Sequence, residues 1–442
     1  KPFSVTLLGN GYVISGLELS TSAGNTPSGL FGSLHNSTIQ QILFKQPKVT
    51  STGNTSPTGV LVGVLKGSRV EEVVNSAGAI QTGGFHSHAG GIAGSISDSV
   101  IRDSVNTGTV STTGSASTGG IAGVVDQGSS VSNNLNIGRI TPRNKQKSPT
   151  GGIVGGLKSN SVANNNVNAG EINVGNNGDS GGIAGIATAA RVLHNLNTGK
   201  IATYYVDGAD LWEGGSIGGI TGEATSQTLI SKNLNTGSIS GKYRSQVGGI
   251  TGQTVSAPIV QNVNAGSVTT DGGFAYTGGI AGEARRVVIR DNLNAGAIIG
   301  KGYRSPVGGI SAAARSAEVY NNVNTGSVNA TELVRVSGVV AYPYWRGLIA
   351  YNIDTFTKYH WFSTSNSTST FNRYGYNSGV VRLSKSALKS GLNGLNSTLW
   401  NAGDATQLPM LKGVNTPYRD LVRINGTQQA NNQFPIVLNE FA

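Results

Sequence analysis

At 442 residues the chain is long enough for a large core, yet only 12% of it is charged and 66 residues are glycine, far above the usual glycine share of about 7%. It has no cysteine, which excludes disulfides, thiolate metal sites and thiol nucleophiles, and no apolar run approaches the length of a membrane span. Thirty-two Lys and Arg against 21 Asp and Glu give a net charge of +11, which suits either a plain basic surface or a polyanionic partner such as acidic polysaccharide or nucleic acid.

In chain order, Lys1–Leu19 (KPFSVTLLGNGYVISGLEL) holds two strand-like runs around a Gly9-Asn10-Gly11 turn signal. Strand-like sequence begins almost at once, as it does at a processed N-terminus. Gly29-Leu30-Phe31-Gly32 then fills the first slot of a repeat, and Gly59–Gly63 (GVLVG) fills the next, 30 residues later. Further slots, mostly Gly-Gly-Ile, start at Gly90, Gly119, Gly151, Gly181, Gly218, Gly248, Gly278 and Gly308, with a degenerate one at Ser337–Ala341, making eleven. A fixed period in this range marks a repeat architecture in which each unit packs mainly on its neighbours.

The unit Tyr276–Arg304 shows what each repeat folds into. Gly278–Gly282, Val287–Asn294 and Ala297–Ile299 are too short and too rich in Gly, Val and Ile for helices, and they suit the sides of a coil of extended chain with Gly and Asn at the corners. The expected fold is therefore all-β: a parallel β-helix of about eleven coils, each about 30 residues long, rising about 4.8 Å per coil to a rod roughly 50 Å long. Disorder would not hold apolar residues in register. Ile92, Ile121, Ile153, Ile183, Ile220, Ile250, Ile280 and Ile310 form an inward column. Two asparagine columns run beside it, one through Asn106, Asn136, Asn168, Asn197, Asn235, Asn264, Asn294 and Asn324, the other two residues earlier from Asn134 to Asn322. In register they would form a side-chain amide ladder, and asparagine also tolerates the left-handed backbone that corners need.

Loop length varies at one place in each repeat, after the third segment, so insertions map to one edge of the rod. The longest is Thr203–Ile217. That edge carries Tyr204, Tyr205, Trp212, Tyr243, Arg244, Phe274, Tyr276, Tyr303 and Arg304, with Phe85, His86 and His88 further back. Aromatic residues interleaved with basic ones are the chemistry of sugar, single-stranded nucleic acid or protein contact. The expected contact residues are Tyr204, Tyr205, Trp212, Tyr243, Arg244, Tyr276, Tyr303 and Arg304.

Past Tyr342 the pattern breaks. YPYW and YHWF are aromatic, Pro343 resists a central strand, and Ser384–Leu392 reads as a short helix capped by Ser384 and ended near Gly391. The segments are thus 1–28 as N-terminal strands, 29–341 as solenoid, 342–414 as an aromatic cap and 415–442 as an extended tail. The tail carries Phe434, Ile436, Val437, Leu438 and Phe441, which suits donation of a strand to a neighbouring copy.

GNGYVISGLEL followed by GLFG and then GVLVG resembles the opening of GLUG-motif repeat proteins, and the Trp, Gly-Asp and Leu-Pro-x-Leu-Lys of the ending resemble their closing segment. The resemblance spans roughly Gly9–Gly413, with GGIAG where G-G-L-V-G is usual. It implies a secreted or surface-attached bacterial protein, often an adhesin, exported with loss of a signal peptide.

Enzymatic signatures are sparse. There is no HExxH, no Walker loop and no G-x-S-x-G. β-Helix lyases and hydrolases need clustered acids; the nearest such set is Asp98, Asp103 and Asp126 on adjacent coils, but Asp103 and Asp291 share a position before the asparagine column, where a solvated turn role fits better. Threonines after the asparagine column are too interrupted for an ice-binding array. The expectation is a non-enzymatic extracellular structural protein without cofactor, assembling with copies of itself head to tail into a surface fibre or matrix. The alternatives are a glycan-binding adhesin contacting other surface proteins, acidic polysaccharide or extracellular DNA, and, third, a β-helix polysaccharide lyase or hydrolase.

Overall fold

A computed structural model describes residues 2–143, 148–175, 177–205, 214–331, 334–344, 347–355, 376–404 and 406–414. One repeat shows how the sequence folds. Tyr276–Gly278, Ala281–Arg285, Val288–Arg290, Leu293–Asn294 and Ile298–Lys301 are five short strands. Each pairs in parallel with the matching segment of the next coil: Gly278 with Gly308, Ala281 with Ser311, Ile289 with Val319, Leu293 with Val323 and Ile298 with Val328. The expected parallel β-helix is therefore the fold. The slot segments alone build an 11-stranded sheet, from Phe31–His35 to Val340–Tyr344.

Stacking begins earlier and ends later than the repeat motif. β1 (Thr6–Leu8), β2 (Val13–Ser15) and β3 (Glu18–Thr21) form a first coil, with β1 and β2 lying on successive parts of Thr38–Lys45 and β3 on Lys48–Ser51. The Gly9–Gly11 turn is thus a solenoid corner and joins no hairpin. At the other end Val340–Tyr344, Leu348–Asp354 and Tyr376–Arg382 continue the stack beyond Ala341. Pro343 sits in the last strand of its sheet among the described residues, an edge position where a strand proline is tolerated.

The isoleucine column is the core: all eight residues from Ile92 to Ile310 are fully buried. The asparagine columns are hydrogen-bonded ladders. In the first, each Nδ2 donates to the Oδ1 one coil on, from Asn75 to Asn106 at 2.8 Å and so along to Asn324, which donates to Asp354 at 3.0 Å. Every bond points the same way, so the last member needs only to accept, and an aspartate stands there. The second ladder runs from Asn134 to Asn352 with the same direction.

The ladder explains the paired glycines. A Cβ on Gly249 would lie 2.2 Å from Cγ of Asn264 and 2.1 Å from the Gly279 oxygen, so the second glycine of each Gly-Gly-Ile makes room for the asparagine of its own coil. The left-handed corner positions differ from the expectation. One recurring set falls on the residue before the second ladder's position, at φ 54° for Asp103, 56° for Asn133, 57° for Lys232 and 57° for Asp291, and the ladder asparagines themselves do not adopt positive φ. Asp103 and Asp291 are also not solvated turn residues, since both carboxylates are buried against Arg102 at 2.7 Å and Arg290 at 2.5 Å.

The C-terminal segment covers a flank. Helix α1 (Lys385–Lys389) is capped by Ser384, whose hydroxyl accepts from the Ala387 N–H at 3.0 Å. Leu388, Leu395, Trp400 and Leu411 pack on Leu293, Val323 and Ile353, an outward-facing column of the last coils. The tail residues Phe434, Ile436, Val437, Leu438 and Phe441 lie outside the described residues, as do His360 and its aromatic neighbours of the YHWF run.

Candidate functional site

Three turns stack in register along the variable edge: Lys242–Ser245, Gly272–Ala275 and Gly302–Ser305. Their third residues, Arg244, Phe274 and Arg304, share a left-handed backbone with φ of 58°, 59° and 55°, which turns each side chain to the same side. The turns are tied by Arg244 N–H to Gly273 O at 3.1 Å and Phe274 N–H to Tyr303 O at 2.8 Å. Phe274 meets Tyr243 and Tyr303 edge to face at 5.8 and 6.0 Å. Arg244 lies over Tyr243 and Phe274, and Arg304 over Phe274 and Tyr303 at 5.8 and 4.9 Å. Such contacts contribute about 0.5–1 kcal/mol each at exposed positions.

Four of the expected contact residues, Tyr243, Arg244, Tyr303 and Arg304, are thus brought together, and Phe274 is what joins them. Tyr205 adds to this row through the Lys242 ammonium, 5.8 Å from its ring. Tyr204 turns away, its hydroxyl donating to the Pro142 oxygen at 2.9 Å, and burial raises its pKa. Trp212 lies outside the described residues. Of the histidines further back, His88 is pushed down to about 4 by burial, helped by Lys158 and His86.

Tyr276 faces a groove on the far side of Phe274. The groove has a volume of about 310 Å³ and is lined by Phe274, Tyr276, Arg304, Pro306, Val334, Arg335, Tyr342 and Tyr344. Arg335 lies over the Tyr342 ring, and Arg315 lies 4.8 Å over that of Tyr344. Next to it the carboxylate of Glu283 is buried, with Arg285 at 2.8 Å, Arg315 at 2.9 Å and the Gln253 amide at 3.0 Å. The hydrogen bond to Glu283 raises the pKa of Arg285 against its partial burial. Burial lowers that of Arg335, with Tyr342 and Tyr344 opposing, and raises that of Tyr344. Arg285 and Arg315 thus share the Glu283 carboxylate.

Sequence reasoning missed Pro306, Val334 and Arg335 and assigned Tyr342 and Tyr344 to the cap. Arg335 is 29 residues after Pro306, which is in turn 30 after Tyr276, so aligning the loops by repeat number would have placed all three in one column. The acids of the lyase reading do not converge. Asp98 stands at an exposed corner, Asp103 is paired with Arg102 at the next, and no described group of three His, Asp or Glu is placed to hold a metal ion.

A second feature lies at the N-terminal end. Among the described residues β1, β2 and β3 each have a strand neighbour on one side only. Val5, Leu7, Ile14, Leu17 and Leu19 pack on the core but are only partly buried, while Phe3, Leu8, Tyr12 and Val13 are 57, 53, 75 and 50% exposed. The edge offers unpaired backbone groups beside apolar side chains, which is the combination that recruits another strand. Compared with family models, curated proteins and solved structures, this chain matches none. No described helix is long and apolar enough to cross a membrane.

Proposed function

We propose that this chain is a non-enzymatic structural protein of the bacterial surface or extracellular matrix whose rods assemble head to tail. The observation that supports this best is the apolar β1–β3 edge. The occupant is the tail of a second copy. Gln433–Phe441 spans nine residues, and the edge from Thr6 to Ser15, which bends at the Gly9–Gly11 corner, spans ten, so the two match in residue count. Phe434, Ile436, Val437, Leu438 and Phe441 supply the apolar side chains. The contact is heterologous, so it propagates into an open fibre. The extracellular setting, with signal-peptide removal, rests on the resemblance of Gly9–Gly413 to GLUG-motif repeat proteins. Deleting 432–442 and imaging full-length and shortened chains by negative stain tests the reading. The full chain is expected to form filaments and the shortened chain single rods; filaments that persist unchanged count against it.

The aromatic–arginine groove favours a second reading, in which the rod displays a glycan-contact surface as an adhesin does. The two are compatible, because the groove and the edge lie at different ends of the stack.

A further inference from the structure

We propose that the rod holds one buried water molecule between Ser51, Thr58 and Thr82, inside the lobe behind the variable edge. The site is independent of the assembly and glycan contacts above, and its ligand is a small, neutral, hydrogen-bonding molecule.

The lobe lies between two facing parallel sheets. One contains Lys48–Ser51, Ala79–Thr82 and Thr109–Thr112, the other Ala89–Gly90 and Thr118–Gly119. Register stacks Ser51 on Thr82 and Thr82 on Thr112 in the first, and Thr58 on Ala89 and Ala89 on Thr118 in the second. All six residues are fully buried. Across the lobe the hydroxyls of Thr112 and Thr118 bond each other at 2.9 Å, and Thr270 and Thr277 repeat the pair at 2.7 Å in a later coil. One coil before Thr112, register sets Thr82 opposite Ala89 instead of a second threonine. Its hydroxyl has no hydrogen-bond partner, and neither has that of Ser51 beside it. Two adjacent buried hydroxyls left unbonded are costly, and native proteins meet such groups with ordered water.

Space separates this pair from other buried hydroxyls of the lobe. Ala89 lacks the hydroxyl and methyl groups that Thr118 brings one coil on, which leaves room for about one water. Ser180 and Thr203 also carry hydroxyls without a partner, but register sets the branched Val174 and Ile217 across from them. The partners agree as well. A hydroxyl both donates and accepts. Thr58 donates to the Ser56 oxygen at 2.9 Å and keeps lone pairs to accept. A water bonded to Ser51, Thr58 and Thr82 makes about three bonds, the usual number for a buried water. None of the six residues is ionisable, so the site suits a neutral molecule and not an ion.

The test is high-resolution crystallography of the full chain, with water magnetic relaxation dispersion to count long-lived waters in solution. A water peak is expected within hydrogen-bond distance of both Ser51 Oγ and Thr82 Oγ1. Ala89→Thr is expected to replace it: the new hydroxyl bonds Thr82 as Thr118 bonds Thr112, the peak disappears and the solution count falls by one. Ala89→Ser is the smaller second variant, with the same expected result, should the first fail to fold. No peak at this place in the parent chain, or Thr82 Oγ1 bonded to a protein group, overturns the proposal. So does an unchanged count in a folded Ala89 variant, or a peak at Ser180 or Thr203 alone.

Discussion

Replacing Asn264 with alanine probes the ladder at its middle. Asn264 is fully buried; its Nδ2 donates to Asn294 Oδ1 at 2.8 Å and to the Gly266 oxygen at 3.0 Å, and its Oδ1 accepts from Asn235 Nδ2 at 2.8 Å. The substitution leaves three groups without these partners: one N–H of Asn235, the Oδ1 of Asn294 and the Gly266 carbonyl. A buried orphan costs about 1–3 kcal/mol, so three give about 3–9 kcal/mol. A water entering the vacated space brings the expected loss to about 3–6 kcal/mol. Asn75 supplies the comparison. It starts the ladder and nothing described donates to its Oδ1; of its two acceptors, Asn106 Oδ1 also accepts from the Gly108 N–H at 3.2 Å, so the Gly91 oxygen, at 3.2 Å, is the one group that loses this bond uncompensated. Asn75→Ala is therefore expected to cost about 1–3 kcal/mol. Urea unfolding followed by circular dichroism reads both, with the slope checked because repeat arrays need not unfold in one step. If Asn264→Ala costs no more than Asn75→Ala, the ladder is not a source of stability and the reasoning fails.

Ile250→Asp places a carboxylate with no partner in the isoleucine column and should cost several kcal/mol, enough to lose soluble protein on expression; near-normal yield and melting would contradict an inward Ile250. Gly249→Ala should destabilise as strongly as the loss of Asn264, because its Cβ meets the Asn264 side chain and backbone at once. If the two effects proved fully additive in the double variant, the proposed contact would be absent. His88 has a folded pKa of about 4 against an ordinary 6.5, with its Nδ1 accepting from the Ser117 N–H at 3.2 Å. Between those values the unfolded chain binds more protons, so stability is full above about pH 6.5 and falls as the pH drops toward 4, by on the order of 3 kcal/mol. Comparing melting at pH 7 and 4.5, His88→Gln should lose less than the parent chain; an equal loss would place the titrating group elsewhere.

The fold was legible because repetition converts composition into position. Gly-Gly-Ile at a spacing of 30 puts each isoleucine on the next, and one inward isoleucine fixes the register of its coil. The asparagine ladder was legible for the same reason. Its coupling to the glycines was not, because Gly249 and Asn264 meet only when the coil closes. The left-handed corner escaped notice because Asp103, Lys232, Gln261 and Tyr351 all occupy it, so no single residue type marks it. The turn cluster could be read from the matching KYRS and GYRS turns. The groove draws on Arg335 and Tyr342, which sit in the last, degenerate repeat where the motif no longer counts positions, together with Pro306 one coil earlier.

In a head-to-tail fibre of these rods the tail of one copy lies on the β1–β3 edge of another. The absence of cysteine makes a direct measurement clean. Val13→Cys in one preparation and Leu438→Cys in a second, mixed and oxidised, should give a disulfide-linked dimer of the two different variants, whereas neither variant alone should dimerise comparably. If no mixed dimer forms, and a single chain carrying both cysteines closes the bond on itself instead, the tail belongs to its own rod and head-to-tail assembly through it is excluded.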